Sequence, residues 1–261
     1  MAGKRFTAGS MKLEVHPTGQ EAGAAAAQAA AHALLKLKQD YDEIGVIFAT
    51  GASQVAMLET LTTMPGLPWE RVHGFHLDEY VGIDENHPAS FRRYLRERLT
   101  QRVPIASFLP MDGTSPDPEQ VCRDYAAQLN AANPRLCLLG IGENGHLAFN
   151  DPPEADFEDK QTVKVVNLDE ACRQQQLAEG WFPTLADVPK RALSLTIPAI
   201  LKVPKLIASV PGPRKAEIMR RTLEEPISTA CPATILRTHP NVTIYLDAES
   251  ASELGGWMEK N

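Results

Sequence analysis

The chain is 261 residues long, with 43% apolar residues, 23% charged residues and a formal net charge of −7. This is the balance of an ordinary folded protein, and it excludes a disordered, collagen-like or coiled-coil chain. The acidic charge argues against general binding to nucleic acid or an anionic membrane. No run of about 18 apolar residues is present, so no membrane-spanning helix is expected, and the opening MAGKRFTAGSMKLEV lacks the apolar stretch of a secretory signal.

Residues 1–10 read as a loose tail and 12–15 as a weak first strand. The Ala-rich run 21–39 is a helix on propensity alone. The apolar run 44–49 suits a buried parallel strand, followed by a polar turn at 50–53 and a helical pattern over 54–63. Further strands are expected at 72–77, 136–139, 163–167, 192–197, 206–210 and 242–246. Helices are expected at 88–102, where Pro88 stands near the first turn, and at 116–130, 169–179 and 213–224. Alternating strands and helices predict an α/β fold: a three-layer, Rossmann-like, open and mostly parallel sheet flanked by helices. No Gly/Ser-rich linker or internal repeat is seen, so residues 1–261 read as a single domain. Cys122, Cys137, Cys172 and Cys231 form no C-x-x-C pair, which predicts buried thiols in a reducing compartment, with the cytoplasm as default.

Ligands of open α/β sheets bind outside the carboxyl ends of the strands, and three such ends carry polar turns. Thr50-Gly51-Ala52-Ser53 joins a buried strand to a helix. It offers hydroxyls, a flexible glycine and a helix N-terminus suited to a phosphate; the plainer alternative is a Ser53 N-cap. Asp78 and Glu79 follow a strand as neighbours, so one can face a crevice while the other makes structural contacts. The run 140–153 holds three glycines, then His146, Asn150 and Asp151. An imidazole there is suited to acid–base work, with Asn144 or Asp151 to orient it. His76 and His146 have no third partner at a recognisable metal spacing.

Taken together, ATGAS (49–53), FHLDEYVGIDENHPASF (75–91), LGIGENGHLAFNDPP (139–153) and VPGPRKAE (210–217) resemble the glucosamine-6-phosphate deaminase family, which belongs with the 6-phosphogluconolactonases. The likeness runs from about residue 12 to 247. It implies an aldose–ketose isomerase that also releases ammonia, turning a 2-amino-2-deoxyhexose 6-phosphate into a ketose 6-phosphate. His146 would open the sugar ring, flanked by Asn144 and Asp151, and Asp78 would carry a proton between C2 and C1. Thr50, Gly51, Ala52, Ser53 and Lys215 would hold the phosphate. Glu79, Gly145, Arg173 and Gln176 are further candidate contacts. The route implies no metal and no organic cofactor, and the partner is a small sugar phosphate. Relatives occur as monomers and as larger assemblies, so a homo-oligomer is open.

The sequence departs from the family pattern at four places. Asn144 stands where Asp is usual; it is expected to accept from the ring N–H of His146 while leaving the ring less basic. Asp151 stands for Glu. The stretch 154–164 is acidic where regulated members carry an Arg/Lys-rich effector site, which predicts no activation by an N-acetylated sugar phosphate. The stretch 169–182 lacks the expected phosphate-contacting Arg, leaving Arg173 or residues 174–176 to reach the substrate. Glucosamine and galactosamine 6-phosphates both remain as substrates. A 6-phospho-sugar lactonase and a non-catalytic sugar-phosphate sensor are the competing readings.

Overall fold

The computed structural model describes residues 3–178 and 180–259. Residues 1, 2, 179, 260 and 261 lie outside it; the expected tail, the helix at 169–179 and the 1–261 domain span include them. In chain order the elements begin β1 (Lys4–Ala8), β2 (Met11–His16), α1 (Gly19–Asp40), β3 (Ile44–Phe48), α2 (Val55–Thr63), β4 (Val72–His76), β5 (Asp78–Tyr80) and α3 (Phe91–Leu95). They continue β6 (Ser107–Phe108), α4 (Pro118–Ala132), β7 (Leu136–Leu139), β8 (Val163–Asn167), α5 (Glu170–Ala178), β9 (Arg191–Leu195) and α6 (Ile197–Leu201). The last are β10 (Leu206–Ser209), α7 (Ala216–Glu224), β11 (Val242–Asp247) and α8 (Gly255–Met258).

Eight strands form one sheet in the order β1-β2-β11-β10-β7-β3-β4-β6, parallel except for the antiparallel edge pair β1–β2. Side chains of successive strand residues point to opposite faces, and the two cores follow that period. Ile44, Val46 and Phe48, with Leu136, Leu138 and Ile207, pack on one face with α1 and α2. Ile47, Cys137, Leu139, Leu206, Ala208 and Ile244 pack on the other, with α4 and α7. The alanines of α1 have a packing reason: a Cβ on Gly23 would lie 2.6 Å from that of Ala56, so the helices need small residues where they cross. All four cysteines are free and buried. No helix among the described residues is long and apolar enough to cross a membrane.

Three expectations change. Residues 4–8 are not a loose tail: they pair with β2 from Lys4↔Val15 to Ala8↔Met11, an edge strand too polar to read as one. β8 and β9 are not in the parallel sheet; with β5 they form a separate antiparallel sheet in the order β5-β9-β8. The helix expected from Pro88 begins at Phe91, because the side chain of Ser90 caps it by accepting from the Arg93 N–H.

The small sheet is bound by an aromatic cluster. Tyr80 meets Phe91, Phe149 and Phe182 at centroid distances of 4.9, 5.2 and 5.6 Å. Its hydroxyl donates to Gln176 Oε1 at 2.6 Å, which fixes α5 beside the end of the main sheet.

Candidate active site

From β3 the chain runs outward through β4 and β6, then returns to the other side of β3 and builds β7, β10 and β11. The strand order therefore reverses between β3 and β7, and the crevice at that point is where open α/β sheets bind ligands. A cavity of about 270 Å³ lies there, walled by the turns after β3, β4, β7 and β10 and by α5.

Two of those turns share one backbone. Gly51 has φ 94° and ψ 172°, and Gly212 has φ 96° and ψ 157°. A short 3-10 turn follows each glycine, then a nine-residue helix, α2 or α7. A Cβ at either glycine would touch nothing, so the positive φ is what requires glycine. Both turns, and behind them the positive ends of two helix dipoles, thus face one cavity, with Ser53, Arg214 and Lys215 on its wall. Arg214 Nη1 lies 3.3 Å from Glu143 Oε1.

After β4 the pleat separates the two acids. Asp78 lines the cavity, and burial, then the charge of Glu79, pushes its carboxyl well above the ordinary range. Glu79 turns away and is fully buried. It accepts from Ser90 Oγ at 3.0 Å, the Phe91 and Arg92 N–H groups at 3.2 and 2.9 Å, and Arg92 Nε at 3.2 Å. It anchors α3 and, unlike the expected contact, has no place on the cavity wall. His76 is buried too; its Nε2 accepts from the Met111 N–H at 2.7 Å, and burial, then Arg92, lowers its pKa to about 3.

The turn after β7 carries His146 on the cavity wall. The ring lies over Gly142, where any Cβ would overlap it. Its Nδ1 is 2.8 Å from Asp151 Oδ1. Burial pushes the Asp151 carboxyl up, but His146, Asn144 and Cys172 together outweigh it and hold the group below its usual range. Asn144 does not meet the ring, contrary to expectation: its Nδ2 donates to Asp151 Oδ1 at 2.9 Å and its Oδ1 accepts from the His146 backbone N–H at 3.0 Å. It therefore acts through Asp151 and the turn. Asn150 pins the same turn to β9, donating to the carbonyls of Leu147 and Leu195 at 2.7 Å each.

Of the residues expected from the sequence, Thr50, Gly51, Ala52, Ser53, Asp78, His146, Gln176 and Lys215 line the cavity, with Asn144 and Asp151 behind His146. Gly145 does not line it; φ is 89° there and its Cα faces Cys231 and Ile218. Arg173 spends its guanidinium on the carbonyls of Leu185 and Val188. Arg214, Trp181 and Tyr94 also line the cavity; only Arg214 carried a signal, as the neighbour of Lys215 after a Gly-Pro turn. Among the described residues one group has metal-ligand types close together: donor atoms of His146, Asp151 and Cys172 lie within 4.8 Å of one another. The 2.8 Å between His146 and Asp151 is shorter than the roughly 3.3 Å between two ligands of a tetrahedral zinc, so this pair is arranged for each other.

The profile of the glucosamine-6-phosphate isomerases/6-phosphogluconolactonase family matches residues 17–245. A glucosamine-6-phosphate deaminase of Exiguobacterium sp. is 37% identical over 205 residues, 78% of each chain. One of Arthrobacter sp. is 34% identical over 250 residues, 94% of this chain and 93% of its own. The solved structure of a monomeric glucosamine-6-phosphate deaminase superposes with a TM-score of 0.84 at 30% identity, covering 92% of this chain and 99% of that one. A Trypanosoma brucei 6-phosphogluconolactonase, 21% identical, shares the fold with a TM-score of 0.78, covering 97% of this chain and 100% of its own. By sequence over most of its length and by the strand-end turns that wall its cavity, this chain belongs to the glucosamine-6-phosphate isomerase/6-phosphogluconolactonase family.

Proposed function

We propose that the chain converts a 2-amino-2-deoxyhexose 6-phosphate and water into fructose 6-phosphate and ammonia, or the matching ketose from another epimer. The observation that carries this is Asp78: a buried carboxyl on the cavity wall with raised proton affinity, in one crevice with the His146–Asp151 pair. The phosphate binds between the N-termini of α2 and α7, beside Ser53 and Lys215. His146 uses Nε2, the nitrogen not paired with Asp151, to take the proton of the C1 hydroxyl and return it to the ring oxygen, opening the ring. Asp78 then takes the C2 proton and delivers it to C1. Water adds to the resulting C2 iminium and ammonia leaves. A carboxyl whose proton affinity is raised by burial is a stronger base once ionised than an exposed one. A lactonase needs only an activated water and gives Asp78 no task. The buried free thiols suit a reducing compartment, and we place the activity in the cytoplasm.

The test is ammonia release from glucosamine 6-phosphate beside galactosamine 6-phosphate. Turnover that Asp78→Asn lowers by at least about 1,000-fold is expected for a lost proton shuttle. No ammonia from either sugar, with hydrolysis of a 6-phospho-lactone that survives Asp78→Asn, would replace this reading with the lactonase.

A further inference from the structure

Gln54 stands behind the first glycine turn, fully buried and with no surface on the cavity. Its Nε2 lies 2.8 Å from Ser53 Oγ and 3.2 Å from the backbone carbonyl of Ser209 at the end of β10. Ser209 Oγ in turn donates to the Ser53 carbonyl at 2.9 Å. Gly140, at the end of β7, makes room: a Cβ there would lie 3.0 Å from Gln54 Nε2 and 3.2 Å from Ser53 Oγ. One side chain thus ties the turn after β3 to the end of β10, passing over the glycine that follows β7.

The chemistry of this contact has a direction. A backbone carbonyl only accepts, so the amide must turn its NH2 toward Ser209. Ser53 Oγ shares that NH2 and is therefore the acceptor of the second hydrogen. Its own proton cannot point at Gln54 and is displaced to the cavity side, which Ser53 lines. The amide oxygen meanwhile has no partner, a cost that an apolar side chain of the same shape would avoid.

We propose that Gln54 is a positioning residue that fixes the Ser53 hydroxyl as an outward hydrogen-bond donor, matched to a ligand oxygen that can only accept, such as a phosphoryl oxygen. This rests on the phosphate end assigned above. It makes Ser53 a committed donor rather than a rotor.

Calorimetric titration of the full chain with fructose 6-phosphate tests it, using Gln54→Met, Ser53→Ala and the double variant, with unfolding temperatures measured in parallel. Gln54→Met is expected to weaken binding about 5- to 10-fold, the size of one uncharged donor's contribution. In the Ser53→Ala background the same change is expected to cost less than about 2-fold, a coupling that a merely structural role does not produce. In the deamination assay the loss falls on KM more than on kcat. Equal losses with and without Ser53, or none, would overturn the inference while leaving the phosphate site standing. Absence of binding by the wild-type chain would overturn both. If Gln54→Met does not fold, the near-isosteric Gln54→Glu carries the same cycle. There the carboxylate accepts the Ser53 proton, and a larger loss is expected, again dependent on Ser53.

Discussion

At Asp78 the chain keeps a carboxyl group where burial, and then the neighbouring Glu79, disfavour its charge. An unfolded chain loses this proton near the ordinary carboxylate pKa of 3.8, whereas the folded chain holds it to higher pH. Below that value the group does not affect stability. As pH rises above it the unfolded state is favoured progressively, until the folded pKa is passed. Asp78→Asn removes this pH-dependent penalty. The variant is expected to lose turnover and to melt higher, by about 2–4 °C for each kcal/mol relieved in a chain of this size, with the gap wider at pH 8 than at pH 4. Thermal scans at the two pH values check it; a gap that narrows with pH would reverse the assignment of burial as the dominant cause. That Asp78 and Glu79 point different ways was legible in sequence, because neighbours in a strand or helix diverge, but which of them meets the cavity was not, and Glu79 read as a candidate contact. Nor was the task of Asn144 legible. Its amide reaches Asp151 and the His146 backbone because of how the turn folds, and no spacing rule encodes that fold.

At the scale of elements, the small sheet and α3 hold the acid side of the cavity in place. α3 has only five regular residues before its π-helical extension, Arg96–Thr100, so propensity contributes little to it and its N-terminal N–H groups need an acceptor. Glu79 supplies one from β5, and Arg92 returns a buried charge pair at 3.2 Å. Breaking a buried pair by removing one partner costs about 3–5 kcal/mol. Arg92 keeps Asp112 at 3.1 Å and the Ile83 carbonyl at 2.6 Å, which places Glu79→Ala at the lower end, near 3 kcal/mol. Urea denaturation is expected to show that loss, and Glu79→Gln a smaller one, since the amide keeps an accepting oxygen. An undiminished midpoint in Glu79→Ala would mean that α3 is held by its aromatic contacts instead. Such elements are hard to read in advance. β5 is the three residues Asp78–Tyr80, too short for any periodicity, and β8 and β9 look like parallel strands because local composition does not record the direction of a partner. The central parallel strands were readable because burial on both faces makes their sequences apolar throughout, as in Ile44–Phe48 and Leu136–Leu139, whereas the two-residue edge strand Ser107–Phe108 is too short to show any pattern.

For the whole molecule, the reversal of strand order between β3 and β7 gathers four strand-end turns into one cavity, and that gathering explains why separate motifs far apart in sequence read as one site. Charge is organised on the same scale. The net charge is −7, yet the cavity that is to receive an anion is flanked by Arg214, Lys215 and two helix N-termini. The stretch 154–164 has no comparable feature: Glu154, Asp156, Glu158 and Asp159 stand against Lys160 and Lys164. Lys164 is already engaged, with Asp159 at 3.0 Å and the Glu154 carbonyl at 2.7 Å. A second anion would meet net negative charge there, with no helix dipole or engaged glycine turn to offset it. N-acetylglucosamine 6-phosphate is therefore expected to leave the substrate dependence of the rate unchanged in half-saturation and in shape, apart from competition at the cavity itself at high concentration. Initial rates measured across substrate concentrations, with and without the compound, decide it. A leftward shift or a loss of sigmoidicity on its addition would mean that an effector site exists elsewhere in the fold, built from cations outside this stretch.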